Sequence, residues 1–178
     1  MHKKMISRNF FHTKRHTSHT VFSNHADIIP VNPNYRHTFR LWCGFKLPAF
    51  AENNKIPSVD IKENPNGTTV GDYSFQNVSN ATSLNLGNVT SIGAYAFNNC
   101  TSLTGKLTIP DSISTIKNRA FGNCKSITEI KFSKNLDIIN YETFSNCTSL
   151  KKITIPNNIK TIDNRAFYSC TGVTEIEL

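Results

Sequence analysis

Cysteines are the residues with the most versatile chemistry in this chain, and four of the five recur at nearly constant spacing. The intervals between them are 24, 23 and 23 residues. Thiolates can bind zinc, thiols can form disulfides, and an unreactive thiol can pack as a small apolar side chain. The four residues are Cys100, Cys124, Cys147 and Cys170.

The spacing favours packing over the two reactive roles. Residues at one position of a repeat stack in a column about 4.8 Å apart, which is within reach of a disulfide, but their Cβ vectors run parallel and not toward one another. Tetrahedral zinc needs convergent ligands, usually from short spacings such as C-x-x-C. We therefore predict a structural column of reduced, buried cysteines that react slowly with thiol reagents, and no metal site. Cys43, which lies far outside the column, should react first.

Other groups that could carry catalysis do not converge. Residues 56–178 contain no histidine, and their ten acidic residues occupy scattered positions without a recurring pair. An active site requires titratable groups that meet in one pocket. His12, His16 and His19 would share a helical face and could bind a metal, but no pattern indicates a helix there. The sequence predicts a protein that is not an enzyme and has no cofactor.

The cysteines belong to a repeat that determines the architecture. Five phenylalanines recur at intervals of 22, 24, 23 and 23 residues, namely Phe75, Phe97, Phe121, Phe144 and Phe167. The aligned units share the composite I-x-x-x-A-F-x-x-C-x-S-L-x-x-I-x-I-P-x-x-I. Asn99, Asn123, Asn146 and Ser169 precede the cysteines, and we interpret them as structural residues that satisfy backbone groups at a bend.

The repeat predicts stacked short strands. Segments such as Ile153-Thr154-Ile155 alternate apolar and polar residues, and Pro156 ends the strand. One strand in about 23 residues cannot form a domain alone, so successive coils must stack with their strands parallel. We predict a solenoid over residues 56–178, with about five repeats, a half-repeat at the start and helical or extended corners opposite the sheet. The first unit, residues 70–89, departs from the composite, and we expect it to act as a terminal cap in which Phe75 contributes less stability than Phe121.

These residues resemble a known family. The segments Ala96-Phe97-Asn98-Asn99-Cys100 and Ala120-Phe121-Gly122-Asn123-Cys124 match the A-F-x-x-C element of BspA-type leucine-rich repeats, while Thr143 replaces the alanine in the fourth unit. The resemblance implies a leucine-rich-repeat solenoid with a concave parallel β-sheet. It also implies a non-catalytic protein-binding or cell-adhesion module at the cell surface or secreted, whose ligand is a host or matrix protein. A cytoplasmic location stays open.

The outward residues of the strands are the candidate binding residues. Charges alternate in sign along one column, which would stabilise strand register by about 0.2–1 kcal/mol per pair without any ligand. A rigid polar concave sheet is also the surface with which solenoids bind proteins. After Ser83 and Asn85 of the first unit, the candidate concave-face residues are Lys106, Thr108, Glu129, Lys131, Lys152, Thr154, Glu175 and Glu177.

Residues 1–55 differ in composition from the repeats. They contain nine Lys or Arg, two acidic residues and all six histidines of the chain. We predict a basic, mostly disordered tail. Two alternatives are a decayed signal segment that ends near Ala51, after Ala49-Phe50, and a nucleic-acid-binding arm. The tail gives a competing function, an intracellular scaffold or nucleic-acid binder, but nucleic acid is the weaker prediction because no motif accompanies the charge.

Composition and the last strand set further expectations. The 178 residues are 38% hydrophobic and 18% charged, and no segment approaches the roughly 20 apolar residues of a membrane span. The last segment, 173–178, would form a strand with an uncovered edge beside Ile162 and Phe167. We expect the chain to be a piece of a longer repeat protein or to self-associate through this edge.

Overall fold

The computed structural model describes residues 38–41, 56–61 and 67–178, with the backbone alone for 38–41. These residues form short strands connected by turns, and the described part of the chain contains no helix. The strands are β1 (Thr38–Leu41), β2 (Ser58–Ile61), β3 (Thr68–Val70), β4 (Ser83–Asn85), β5 (Val89–Ile92), β6 (Gly105–Thr108), β7 (Thr115–Ile116), β8 (Ile127–Lys131), β9 (Ile138–Ile139), β10 (Lys152–Thr154), β11 (Thr161–Ile162) and β12 (Glu175–Glu177).

The strands predicted from the I-x-I phrase form the first wall of the solenoid. They pair in parallel as two sheets, with strand orders β1-β2-β4 and β6-β8-β10-β12. The alternating pattern places Leu107, Ile130 and Ile153 inward, each at most 5% exposed, with polar neighbours outward. The predicted parallel solenoid is therefore confirmed, with its apolar strand residues in a continuous core.

The first wall is interrupted between β4 and β6. The register of β6 against β8 shifts between Gly105 and Lys106. Gly105 has a φ of +77°, a conformation that favours glycine, and a Cβ there would meet no atom within 4 Å. This glycine is the extra residue that makes one repeat interval 24 residues long. The predicted columns that join Ser83 to Lys106 and Asn85 to Thr108 therefore cross from one sheet to the other.

A second wall contains strands that the sequence analysis did not predict. The strands β3, β5 and β7 form one parallel sheet, and β9 pairs with β11 in another. Strands β5, β7, β9 and β11 each follow the turn after a first-wall strand. Before β7, Ile113 N donates to Pro110 O at 3.0 Å, and before β11, Ile159 N donates to Pro156 O at 3.0 Å. Ile92, Ile116 and Ile139 point inward and are at most 1% exposed, so each repeat contributes two short strands to the core.

The A-F-x-x-C element forms a third wall of successive turns, not a helical or extended corner. Within a repeat Cys100 N donates to Phe97 O at 3.3 Å, and between repeats Phe97 N donates to Ala120 O at 2.8 Å. Two residues of each repeat, four positions apart, have positive φ, for example Tyr95 at 56° and Asn99 at 63°. These left-handed residues bend the chain while every second N–H reaches the next coil.

The phenylalanines stack through the interior. Successive ring centroids from Phe75 to Phe167 lie 5.1, 5.2, 5.7 and 5.6 Å apart, and the ring planes are within 12° of parallel. Phe97, Phe121 and Phe144 are fully buried. Because each of the three inner rings packs on the rings before and after it, stacking contributes to the contacts between repeats.

The sheet begins before Ile56. Strand β1 lies within the segment predicted as a tail and pairs in parallel with β2. Residues 1–37, 42–55 and 62–66, which include the histidines, Cys43 and the predicted Ala49-Phe50-Ala51 cleavage site, lie outside the described residues. In the described part of the chain, no helix is long and apolar enough to cross a membrane.

Candidate binding face

The predicted concave-face residues share one surface, which we call the sheet face: the outward side chains of β6, β8, β10 and β12. The ladder pairs Lys106 with Glu129, Lys152 with both Glu129 and Glu175, and Thr154 with Glu177. The structure thus brings together the whole predicted set. Its members are Lys106, Thr108, Glu129, Lys131, Lys152, Thr154, Glu175 and Glu177, all exposed except the half-buried Lys152.

Most charges on the sheet face form ion pairs along the predicted column. Lys106 Nζ binds Glu129 Oε1, and Lys152 Nζ lies 2.9 Å from Glu175 Oε1 and 2.5 Å from Glu177 Oε1. The Glu177 and Glu175 carboxylates raise the pKa of Lys152, while Lys152 and the Thr154 hydroxyl lower that of Glu177. These pairs stabilise strand register, which accounts for the alternation of sign without a ligand.

Lys131 differs from the other lysines of the sheet face. It is exposed, it lies in register with Thr108, and among the described residues no carboxylate pairs with it. The offset that pairs Glu129 with Lys152 places Thr154 on its other side. A cationic group between two hydroxyl groups is therefore available for a ligand near the middle of the sheet face.

The cysteine column is a structural feature of the turn wall. Each thiol donates to the carbonyl oxygen of a phenylalanine in the preceding repeat, over 3.1 Å from Cys100 to Phe75 and 3.3 Å from Cys124 to Phe97. Burial raises the pKa of Cys100 to about 12 and also raises that of Cys124. These thiols pack in the core as predicted, and each ties its coil to the one before it.

The last two cysteines differ from each other. Interaction with the neighbouring Cys170 thiol, together with burial, raises the pKa of Cys147, while interaction with the Cys147 thiol lowers that of Cys170. Cys170 is only partly buried. Both are free thiols. We therefore expect Cys170, at the C-terminal end of the column, to be the most reactive of these four thiols.

A second repetitive surface was missed by the sequence analysis. It runs along the outside of the turn wall and consists of the residue two positions before each core phenylalanine. Its members are Tyr73, Tyr95, Arg119, Glu142 and Arg165, all with positive φ between 52° and 61°. We call it the Tyr-Arg-Glu ladder. Its constant offset from the phenylalanines is the sequence signal that could have revealed it.

The side chains of the Tyr-Arg-Glu ladder contact one another between neighbouring repeats. The rings of Tyr73 and Tyr95 stack with centroids 5.0 Å apart, and Arg119 donates to the Tyr95 hydroxyl at 2.9 Å. Arg119 Nε also lies 2.7 Å from Glu142 Oε2, and Arg165 Nη1 lies 3.7 Å from Glu142 Oε1. Hydrogen bonds from Tyr141 and Arg119 lower the pKa of Glu142. The charged groups of the Tyr-Arg-Glu ladder pair with one another. We therefore interpret the ladder as a set of contacts that hold neighbouring coils together.

The described residues provide no metal centre. No group of three or more His, Cys, Asp or Glu side chains among them is placed to hold a metal ion. An open cavity of about 490 Å³ lies at the C-terminal end and is lined mainly by apolar side chains such as Ile155, Ile159, Ile162 and Leu178. Its lining contains Lys160 but no side chain with a carboxylate, thiol or imidazole. The sheet face is thus the best-formed candidate site.

Comparisons with known proteins agree with this architecture. A crystal structure of a leucine-rich repeat protein from Bacteroides ovatus superposes with a TM-score of 0.61 at 20% identity, covering 90% of this chain and 51% of that one. The T. pallidum leucine-rich repeat protein superposes with a TM-score of 0.56 at 23% identity, covering 90% of this chain and 68% of that one. The chain thus spans about half the length of the first structure. At these identities the likeness shows the fold alone.

The sequence comparisons give the family. A search of curated proteins finds no match. The family model for the BspA type leucine rich repeat region matches residues 46–105 and 90–178 in six copies, and so begins before Ile56, within the segment predicted as a tail. With most of its length matched, the chain belongs to the BspA-type leucine-rich repeat family.

Proposed function

We propose that this chain is a protein-binding module that binds its ligand through the sheet face, as part of a surface-exposed or secreted adhesion protein. Leucine-rich repeats of this family are generally protein-interaction modules. The observation that carries the proposal is Lys131, a cation without an ion-pair partner in the described structure, on a face whose other lysines are paired.

The sheet face has the physical properties of a recognition surface. Its strands are held by buried residues on the inner side, so the outward side chains start from a fixed backbone, which reduces the entropy lost on binding. The pairs of Lys106 with Glu129 and of Lys152 with Glu175 further order those side chains. A ligand that fits this face presents an acidic group to Lys131 and hydrogen-bonding groups to Thr108 and Thr154.

Catalysis is not part of the proposal. Proteins of this family and fold are typically non-catalytic. In the described structure the charged groups of the sheet face pair with each other and lie on an open surface. An open surface neither excludes water nor orients a substrate in the way that catalysis requires.

The cellular setting follows from the family. BspA-type repeat proteins are commonly surface-associated. On this basis we propose that the ligand is a host or matrix protein met outside the cell. A rigid repetitive sheet suits adhesion because neighbouring strands present the same backbone geometry to an extended partner.

The test compares three full-length baits in a pull-down from a host-cell and matrix extract, quantified by mass spectrometry. They are the wild-type chain, Lys131→Glu, and Lys125→Glu as a matched control with the same charge change at an exposed turn residue off the sheet face. We expect ligands to be retained by the control and lost at least about tenfold from Lys131→Glu, which corresponds to about 1.4 kcal/mol. Identical capture by all three baits would contradict a role for the sheet face.

A further inference from the structure

The first wall has an opening between β4 and β6, within the stack of coils. Residues 82–109 are all described, and within them β4 pairs only with β2 and β6 only with β8. The two coils meet just before the opening, where Thr104 N donates to Thr82 O at 3.2 Å. We call the facing edges that form no ladder the first-wall opening: residues 83–85 of β4 and 105–108 of β6.

The first-wall opening is local, because the other two walls continue past it. In the second wall, β5 and β7 follow β4 and β6 along the chain, and they pair with Ser91 opposite Thr115. In the third wall, Phe75 N donates to Ala96 O at 2.7 Å. Two walls therefore hold these coils together, and the break lies only in the wall that carries the sheet face.

Leu84 provides uncovered apolar surface at the first-wall opening. It occupies the repeat position of Val59 and Leu107, which are 2% and 5% exposed, yet it is only partly buried. Strand β2 covers one side of it, since Val59 lies in register with Leu84. On its other side β6 does not pair. The opening therefore combines strand edges that form no ladder with an apolar side chain, which is the combination that attracts a further strand.

Gly105 accounts for the opening, because it lengthens one coil by a residue. The register of β6 against β8 shifts beside it, and a Cβ at its φ of +77° would meet no atom within 4 Å. Beyond the shift, Ile109 N donates to Lys131 O on the β8 side at 2.8 Å. Since alternate residues of a strand bond to opposite neighbours, the backbone groups of Lys106 and Thr108 are directed toward the opening.

An extended peptide has the groups that this opening requires. Main-chain N–H and C=O groups recur along it at about 3.3 Å per residue, so it can pair with a strand edge. The facing edges are three and four residues long, which suits a short segment. The outward residues at these edges are uncharged except Lys106, whose charge Glu129 balances. A nucleic acid would need several cations here for its phosphates, so a neutral peptide with an apolar side chain fits better.

We propose that the first-wall opening is a peptide-binding site, in which an extended segment of a protein ligand pairs with the edge of β6 and packs an apolar side chain against Leu84. The proposal rests on the protein-binding role proposed above, and it specifies how the backbone of the ligand is held. It depends on a strand edge and Leu84, whereas the contact proposed above depends on Lys131. The two can therefore fail separately.

The experiment selects random peptides of about ten residues on the immobilised full-length chain and measures their affinity for variants by fluorescence anisotropy. Deletion of Gly105 gives this coil the length of its neighbours, so β6 should pair with β4 and the selected peptides should bind at least about tenfold more weakly. Gly105→Asn is the matched control. Asparagine tolerates positive φ and keeps the extra residue, so this variant should bind as the wild type does.

A second variant keeps the test independent of the deletion. Leu84→Ser leaves the opening in place but removes its apolar contact, so it should also weaken the selected peptides by about tenfold. Amide hydrogen exchange then locates the bound peptide. We expect protection to rise over residues 83–85 and 105–108 and to stay unchanged in β10.

Four results would overturn the proposal. They are equal affinity for the wild type and for a deletion variant that folds by circular dichroism, a selection in which no peptide protects the opening, selected peptides weakened by Lys131→Glu alone, and self-association of the wild type that the deletion abolishes. The third result would support the sheet-face contact of Lys131 instead, and the fourth would identify a second copy as the occupant. Peptides that depend on Gly105 but not on Lys131 would support this inference whatever the outcome for Lys131.

Discussion

The two ends of the solenoid are built from the same repeat but differ in burial. Near the N-terminal end, Phe75 is 3% exposed and Ile61 is 2% exposed, although they belong to the earliest described coils. At the C-terminal end Phe167 is only partly buried, and Ile176, which occupies the repeat position of a buried strand residue, is 63% exposed. The burial of a residue in this protein therefore depends on its neighbours in the stack as much as on its type.

The comparison changes how the first unit is understood. Its departure from the composite suggested a cap that faces solvent, but Val78, which replaces the cysteine, is fully buried. The pairing of β1 with β2 and β4, together with the family match from residue 46, places repeat-like structure before this unit. Phe75 is therefore as buried as an inner ring, whereas Phe167 is the partly exposed ring of the described stack.

Truncation of the core phenylalanines should show the largest difference between the two ends. Phe121→Ala removes a ring that is stacked on both sides and fully buried, so we expect it to lower the free energy of unfolding by about 3–5 kcal/mol. Phe75→Ala should have an effect of similar size because Phe75 is also buried. Phe167→Ala should cost clearly less, since part of that ring is already in water.

Equilibrium urea denaturation of the three variants measures these values, and the m-value checks that unfolding stays two-state. A neutral Phe121→Ala would contradict the stacked core. Equal losses for Phe121→Ala and Phe167→Ala would show that Phe167 is covered in solution.

Most of this architecture could be predicted from sequence because it depends on side-chain type. The phenylalanine and cysteine columns, the alternation in Ile153-Thr154-Ile155 and the outward lysines and glutamates all follow from a repeat that is read directly. The second-wall strands were missed because two-residue segments such as Thr115-Ile116 are too short to show alternation. Their pairing depends on backbone groups brought together by the stack.

The Tyr-Arg-Glu ladder was missed for a different reason. Tyrosine, arginine and glutamate have no shared preference for positive φ, so residue type gave no indication that Tyr95, Arg119 and Glu142 occupy equivalent left-handed positions. The asparagine column did carry that signal, because asparagine tolerates this conformation better than most residues. The sequence analysis attributes it to amides that satisfy backbone groups at the bend, whereas the bond from Asn99 Nδ2 to Asn77 Oδ1 at 2.9 Å joins two side chains.

Along the cysteine column, the more exposed thiol should react faster than the buried ones. Cys170 is partly exposed and its pKa is lowered by interaction with the Cys147 thiol, so it should be alkylated well before the other three. Cys100 and Cys124 should react slowest, because burial raises their pKa and suppresses the thiolate that reacts. This sharpens the expectation from sequence, in which all four were equally unreactive.

Timed alkylation of the folded chain followed by peptide mass spectrometry gives the order of reaction. The Cys43→Ser variant removes the thiol outside the column, so that its early reaction does not mask the comparison. A control in urea should make the remaining four react at similar rates. If Cys124 reacted as fast as Cys170 in the folded protein, the core would open far more often than stacked coils allow.

The smallest predicted effect concerns the left-handed residue before each cysteine. Asn123 has a φ of 59° and Ser169, in the last described repeat, has a φ of 58°. Left-handed geometry costs most L-residues roughly 1–2 kcal/mol, and asparagine offsets part of this by local hydrogen bonding. Ser169→Asn should therefore stabilise the protein by about 0.5 kcal/mol, while Asn123→Ala should destabilise it by about 1 kcal/mol.

Thermal unfolding of both variants measures these two changes in stability, with Ser169→Ala as the control that shares the position but not the amide. Should Ser169→Asn have no effect while Asn123→Ala does, the last coil would be frayed in solution, and the difference between the two ends would extend from side-chain burial to the backbone itself.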